Sequence, residues 1–495
     1  MKTMKKIIAL SLCLVMLLFL TACSSNGDSS TGTDASNGNT GTQTDGKVDK
    51  TGTAGDGSAE AGGETAISDV SGTLKIAGPG LFTTVGETGT TDLVTGIQLP
   101  GYDVVVKRWN ELYPNVKLEI ETSPWDNWKA VLQTSALSGD VDVLLHGSSI
   151  TAIAEPIGAY LDKNPEMEGM FSMLAMRRTE DNGGDFSKYI PYGLTVTANP
   201  LVVVIDKQIF EDYGVTVPEA SWTFDDLTAL SKKTTGKDPK TGNETYGISM
   251  LAAASANKNY IWASRGFDAP VFQFGKTLKE TKADFTTDAT KKVLNYITSL
   301  YAFSSPDYLE GLDTAVANTA DNNLAMRITE SPIDDYNKLE AAGLLDRFMF
   351  VPLPAIQSGA NAGNTSSHMG DWNMAICNTS KEKDLAWEFI KFMVTDEVVQ
   401  QWLVDCNSIP NNLSALPKLK ENMKPEYYSA LETVLQQQPL EFSASTNECY
   451  DSGNFGTFAN DVTSILNEMF VGNSSADEAV KFVQKNLDDY MSSVQ

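Results

Sequence analysis

Few residues in this chain have both the type and the spacing for covalent chemistry. It holds two histidines, His146 and His368; the first ends a run that reads as a buried strand, Val141 to Leu145, and the second lies in a Ser/Gly-rich loop. A triad base or a zinc ligand needs partners at defined offsets, and no HExxH, CxxC, GxSxG or phosphate-binding glycine loop occurs. The 64 acidic residues supply carboxylate pairs by number alone, with no pattern that sets two of them across a scissile bond. Cysteine is the remaining nucleophile, and there are five. Cys377 sits in the apolar stretch NMAIC, where a thiol packs as a small hydrophobe. Cys406 and Cys449 are free to pair, but a disulfide depends on a Cα separation that sequence does not supply. None of these patterns calls for a metal or an organic cofactor. Binding chemistry is expected in place of catalysis.

Cys23 has a different context. Lys2, Lys5 and Lys6 precede an apolar run of 14 residues, Ile7 to Leu20, which suits a secretory signal and falls short of the ~20 residues of a membrane span. The stretch Leu20-Thr21-Ala22-Cys23 then resembles the bacterial lipoprotein box, which predicts cleavage after Ala22 and diacylation of Cys23. Two acyl chains, at about 0.8 kcal/mol per buried CH₂, hold a chain to a membrane far better than one. From Ser24 to about Val70 the residues are almost all Ser, Thr, Gly, Asn and Asp. That composition buries too little surface to offset its ordering entropy and reads as a leash of roughly 40 Å r.m.s. span. The expected location is the outer face of a cell membrane, of the single-membrane, Gram-positive type.

About 425 residues follow, too many for one core and suited to two domains. The net charge of −27 makes nucleic acid and anionic lipid poor partners. GTLKIAG opens as a strand, and GYDVVVKRWNELYPNVKLEIE gives a helix with Val105, Trp109 and Leu112 on one face, then an alternating strand. PWDNWKAVLQTSALSGDVDVLLHG repeats the scheme, with Trp128, Val131, Leu132 and Ser135 on the inner helix face. Such β-α-β-α-β order implies right-handed crossovers and a parallel sheet. The run YIPYGLTVTANPLVVVID reads as one long strand interrupted over Thr195 to Pro200, where a chain can pass from one lobe to another. In SWTFDDLTALSKK, Thr223 and Asp226 have the spacing of a capping box.

At this point an ordered set of segments resembles the extracellular solute-binding proteins of ABC importers, in the sugar-binding branch that includes maltose-binding protein. LSGDVDVLL, PYGLTVTANPLVVVIDKQIFEDYGV, SWTFDDL, NNLAMRITES, FVPLPA, GDWNMAI, AWEFIKFMVTDEVVQQWL and NSIPNN match in sequence order from about residue 72 to the end. Two places depart: the family's Tyr-Asn-Lys is Ile205-Asp206-Lys207, and Glu330-Ser331 stand where sugar-binding members often place an aromatic. The resemblance implies an α/β, two-lobe periplasmic-binding-protein fold of the type II-like, venus-flytrap kind, with a ligand cleft between the lobes. The implied division is signal 1–22, lipidated cysteine and linker 23–71, lobe 1 from 72–196 plus 350–440, and lobe 2 from 200–349 plus 441–495. It also implies a monomer that performs no chemistry and delivers a sugar, most simply an oligosaccharide, to the importer's membrane subunits.

A saccharide offers flat C–H faces and a rim of hydroxyls, so its site wants aromatic platforms beside carboxylates, amides and arginine. By position, the candidates are Trp125 before the second helix, Tyr192 and Asn199 at the first crossing, and Trp262 with Arg265 in YIWASR. Glu330 is a candidate through the resemblance. Asp371 and Trp372 in GDWNMA pair an acceptor with a platform, and Tyr450 and Phe455 come from the late segment. Three rivals stand beside this reading: a cationic or peptide-like solute in the same fold, a secreted carbohydrate-active enzyme, and a co-receptor for a membrane kinase.

Overall fold

Alternation of apolar residues explains the first sheet. The computed structural model of the protein describes residues 69–91, 96–123, 128–145, 153–171, 174–178, 185, 187–437 and 455–494. The lipidation signal, most of the linker, His146, Trp125, Cys449 and Tyr450 lie outside the described residues. Strand β1 (Gly72–Gly78) buries Leu74 and Ile76 completely, and pairs in parallel with β2 (Val116–Thr122) and β3 (Val143–Leu145). Helices α1 (Asp103–Leu112) and α2 (Trp128–Ser138) connect them in β-α-β order. On α1, Val105 and Trp109 are fully buried, and Trp109 stacks on Tyr113 with ring centroids 4.0 Å apart. On α2 the inner face is Leu132 and Ala136, whereas Val131 is 46% exposed. Val131 was expected on the inner face; the buried stripe runs one residue later.

The sheet does not stay parallel. Its order is β2-β1-β3-β9-β5-β4, with β4 (Leu174–Arg178), β5 (Tyr189–Pro200) and β9 (Met369–Ile376) joining antiparallel. A strand that returns some 170 residues later therefore occupies the centre of this sheet. Strand β5 runs unbroken to Pro200, and β6 (Val202–Asp206) starts two residues on, so the break falls at Leu201 and not over Thr195 to Pro200. Strand β6 is the middle of a second sheet, β7-β6-β8, between β7 (Met326–Thr329) and β8 (Phe348–Pro352), antiparallel to both.

Around that second sheet pack α3 (Lys207–Asp212), α4 (Phe224–Lys233), α5 (Asn257–Gly266), α6 (Asp288–Tyr301) and α7 (Pro332–Ala341). Helix α4 carries the expected capping box: the Thr223 hydroxyl accepts from Asp226 N–H, and the Asp226 carboxylate accepts from Thr223 N–H at 2.8 Å. Helices α8 (Lys383–Thr395) and α9 (Glu397–Asp405) cover the first sheet and its core, which includes Trp109, Phe389 and Trp402. The resemblance implies that helix α10 (Pro425–Leu435) belongs with that first body. It packs instead on β8 and α7: Tyr427 meets Phe350 at 4.7 Å and Tyr336 at 5.1 Å, and its hydroxyl donates to Leu345 O at 2.8 Å. The apolar face of α10 follows the aromatic partners, which belong to the second sheet. Helices α11 (Phe455–Phe470) and α12 (Ala476–Val494) complete the large core around α5 and α6.

Candidate ligand-binding site at the crossing between the sheets

Two chain segments carry the backbone from one sheet to the other, and a serine ties them together. The Ser367 hydroxyl donates to Leu201 O at 2.8 Å and accepts from Leu353 N–H at 3.3 Å, while Leu201 N–H donates to His368 O at 3.1 Å. A third segment holds the end of β5 from its other edge. Ala198 N–H donates to Ile409 O, Asn411 N–H to Val196 O, and the Asn411 amide to Thr195 O at 2.8 Å. Open α/β sheets bind ligands beyond the carboxyl ends of their strands. Here β1 and β3 end at Gly78 and Leu145, and the next residues, Pro79 to Leu81, form one wall of a hollow.

Trp372 faces that wall. The hollow is lined by Pro79, Leu81, Leu145, Val196, Trp372, Asn373 and Met374. Trp372 pairs with Thr197 of β5, and the register slips between Trp372 and Asn373, a bulge of the kind that re-aims a side chain. Gly80 sits under the indole: a Cβ there would lie 3.7 Å from the ring, and its φ of 116° is one that side-chain-bearing residues rarely adopt. The half-buried indole is thus held on one side by backbone. Asp371 precedes it, its backbone paired with Ala198, and Asn199 stands opposite Gly370, half-buried.

Other expected site residues separate from this group. Trp262 is fully buried, stacked on Phe224 with centroids 5.8 Å apart, and its indole N–H donates to Asn259 at 3.2 Å. It has no face for a ligand; its expected role gives way to a place in the core. Tyr192 is likewise buried, among Leu132, Leu144, Ala154 and Cys377, because it lies on the half of β5 remote from the crossing. Phe455 opens α11. Cys406 is a free buried thiol, held to Pro100 O, and burial pushes its pKa up to about 12. Among the described residues no group of three or more His, Cys, Asp and Glu gathers as a metal site.

Glu330 is joined to α5 through Lys258, a residue not singled out above. Glu330 follows β7, and both its oxygens accept from Lys258 Nζ, at 2.7 and 2.5 Å. Lys258 and Arg265 lie on α5, and both charges reach His368, which begins the return into β9. The imidazole is held down to about 3, first by burial and then by those two cations. Its Nδ1 is buried without a hydrogen-bond partner. A sequence signal for Lys258 was available in retrospect: it lies seven residues before Arg265, hence on the same helix face.

The profile of bacterial extracellular solute-binding proteins matches residues 96–400, more than half the chain, including the first two crossing segments and reaching into α9. The chain belongs to that family. Among curated relatives of this solute-binding protein, a Brucella abortus (strain 2308) protein named only as a binding protein is 23% identical over 342 residues, 66% of this chain and 75% of that one. Solved structures share the fold. The sugar-binding protein MalE of Xanthomonas citri superposes with a TM-score of 0.65 at 14% identity, covering 85% of this chain and 98% of that one. A Listeria monocytogenes ABC substrate-binding protein in complex with cycloalternan gives 0.58 at 18%, covering 85% and 99%. A solute-binding protein of Agrobacterium radiobacter in complex with ribitol gives 0.61 at 14%, covering 86% and 100%. The two-lobe fold of this solute-binding protein is therefore that of a periplasmic binding protein, as expected.

Proposed function

We propose that this chain is a lipid-anchored, extracellular receptor that captures a carbohydrate between its lobes and presents the closed form to an ABC importer. The observation that carries the reading is Trp372, a half-buried indole backed by Gly80 at the crossing of the two sheets. An aromatic face fixed in that way suits the C–H face of a sugar ring, and the neighbouring Asn199 and Asp371 are of the types that bond its hydroxyls. Structural neighbours that hold cycloalternan or ribitol support the same class of solute. Lobe closure would bury the ligand, exclude water from its hydrogen bonds, and turn occupancy into a shape the importer reads.

In this reading lobe 1 comprises 72–196 with the return from 369 to about 412, and lobe 2 the residues between them with α10, α11 and α12. Cys23 bears the anchor and 24–71 the leash; the receptor acts as a monomer and performs no catalysis. Pairing of Glu330 with Lys258 favours a sugar over a cationic solute, because the carboxylate already has its counter-charge. The test is a thermal-shift panel on the purified full-length chain, with mono- and oligosaccharides, polyols, polyamines and short peptides. A ligand at 100 times its Kd adds ~2.7 kcal/mol of stability. A shift with a saccharide series and no turnover of that saccharide is the expected result. A shift with polyamines or peptides alone would sink the carbohydrate reading.

A further inference from the structure

Away from the tied crossing strands, a side-chain hydrogen bond joins α7 to the end of α9. Asn337 Nδ2, on α7, donates to Asn407 Oδ1 at 2.7 Å, and both residues are half-buried. Asn407 closes α9: its N–H donates to Val404 O at 3.0 Å, and Ser408 N–H donates to Leu403 O at 2.9 Å. That is the bond pair of a Schellman turn, and Asn407 has the left-handed φ of 59° that the turn requires. Glycine is the usual residue there. Asparagine tolerates the conformation and adds an amide, which here reaches α7. Two residues on, Ile409 is buried with Tyr336 and Leu339 of the same helix, and its carbonyl accepts from Ala198 N–H. Segment 409–411 thus meets β5 on one edge, while β9, which carries Trp372, meets it on the other. The described residues that line the hollow at Trp372 all fall within 72–196 or 369–412, the first lobe of the reading above, so the second lobe does not cover it in this structure.

We propose that the Asn337–Asn407 pair is a latch that holds the lobes open, so that two residues outside the binding hollow set how tightly the solute is held. The inference rests on the lobe-closure part of the reading above and names a residue pair that regulates it. A swing of the second lobe over Trp372 pivots on the strands in between and draws α7 away from Asn407 on the far edge. Closure then has to break a half-buried neutral hydrogen bond. The closed fraction is smaller by that amount, and the apparent affinity falls with it. Two amides carry no charge and do not titrate, so the effect is independent of pH and of salt, unlike an ion pair at the same place.

The experiment is calorimetric titration of the full-length chain with maltotriose, galactotriose, ribitol, spermidine and trialanine. It is run on the natural protein, on Asn337→Ala, on Asn407→Gly and on the double variant. Asn407→Gly keeps the left-handed turn, and Asn337→Ala places a strong helix former on α7, so each removes its amide with little disturbance of the local backbone. Each single variant is expected to bind about fivefold tighter than the natural protein, the reverse of what a damaged fold would give. The double variant should bind no tighter than either single one, because all three lack the same bond. The gain should be equal in mildly acid and mildly alkaline buffer, and at low and high salt. Affinity unchanged or weakened in either single variant, or gains that multiply in the double, would overturn the latch and leave the carbohydrate reading in place. Tighter binding of spermidine or trialanine alone would keep the latch and sink the carbohydrate reading. Failure of every solute to bind would remove both.

Discussion

Trp372 on the return strand and His368 just before it are four residues apart and do different work. Trp372 touches Gly80 and a hollow of mostly apolar residues, so its substitution should show chiefly in binding. Trp372→Ala is expected to weaken saccharide affinity by about tenfold or more, as loss of a central aromatic anchor does, measured by titration calorimetry. His368 should show in the pH dependence of stability. Its pKa of about 3 in the fold lies below the ordinary 6.5, so an unfolded chain takes up the proton first. The stabilisation is therefore complete above pH 6.5 and is lost progressively as pH falls from 6.5 toward 3. Urea titrations across that window should show stability declining with acid in the natural protein, and a flatter profile in His368→Gln. Sequence alone made His368 an ordinary loop residue. Its surroundings come from α5, a hundred residues earlier, and no local pattern encodes that meeting.

At the scale of elements, Asp206 shows how a departure from a family pattern is absorbed. The residue is the N-cap of α3, accepting from Gln208 N–H at 3.0 Å, and sits at the end of β6 with no side-chain exposure. Arg347 binds it through Nε at 3.0 and 3.1 Å and through a terminal nitrogen at 2.6 Å, and the Asn322 amide donates at 2.7 Å. A carboxylate there gathers a cap, an ion pair and a loop, where an amide would satisfy fewer donors. Asp206→Ala is expected to cost about 3 kcal/mol, most of it from removing the buried counter-charge of Arg347, read from the shift in the urea midpoint. Elements with strong local signals were legible: α1 from its buried Val105 and Trp109, and α4 from its capping box. The position of the chain break was not. Thr195 to Pro200 looks like an interruption by composition, but strand pairing with β9 on one edge and bonds to 409–411 on the other keep it extended.

For the whole molecule, the proposed function turns on the balance between open and closed lobes. On the proposed reading, the crossing segments tied through Ser367 and Leu201 are where the lobes would rotate about one another. Addition of a saturating saccharide should contract the radius of gyration measured by small-angle X-ray scattering, and Trp372→Ala should reduce the contraction at equal sugar concentration. No change in scattering at full occupancy would contradict closure. The α/β class, the parallel β2-β1-β3 core, the faces of most helices and, through ordered segments, the family were legible in the amino-acid order, because each rests on local periodicity or on residues near in the chain. What depended on tertiary structure is that Trp262 and Tyr192 are core, that α10 packs on the second sheet, and that Glu330 pairs with Lys258, whose charge, with that of Arg265, acts on His368. Burial and charge pairing depend on which surfaces meet, and those surfaces come from segments up to about 110 residues apart.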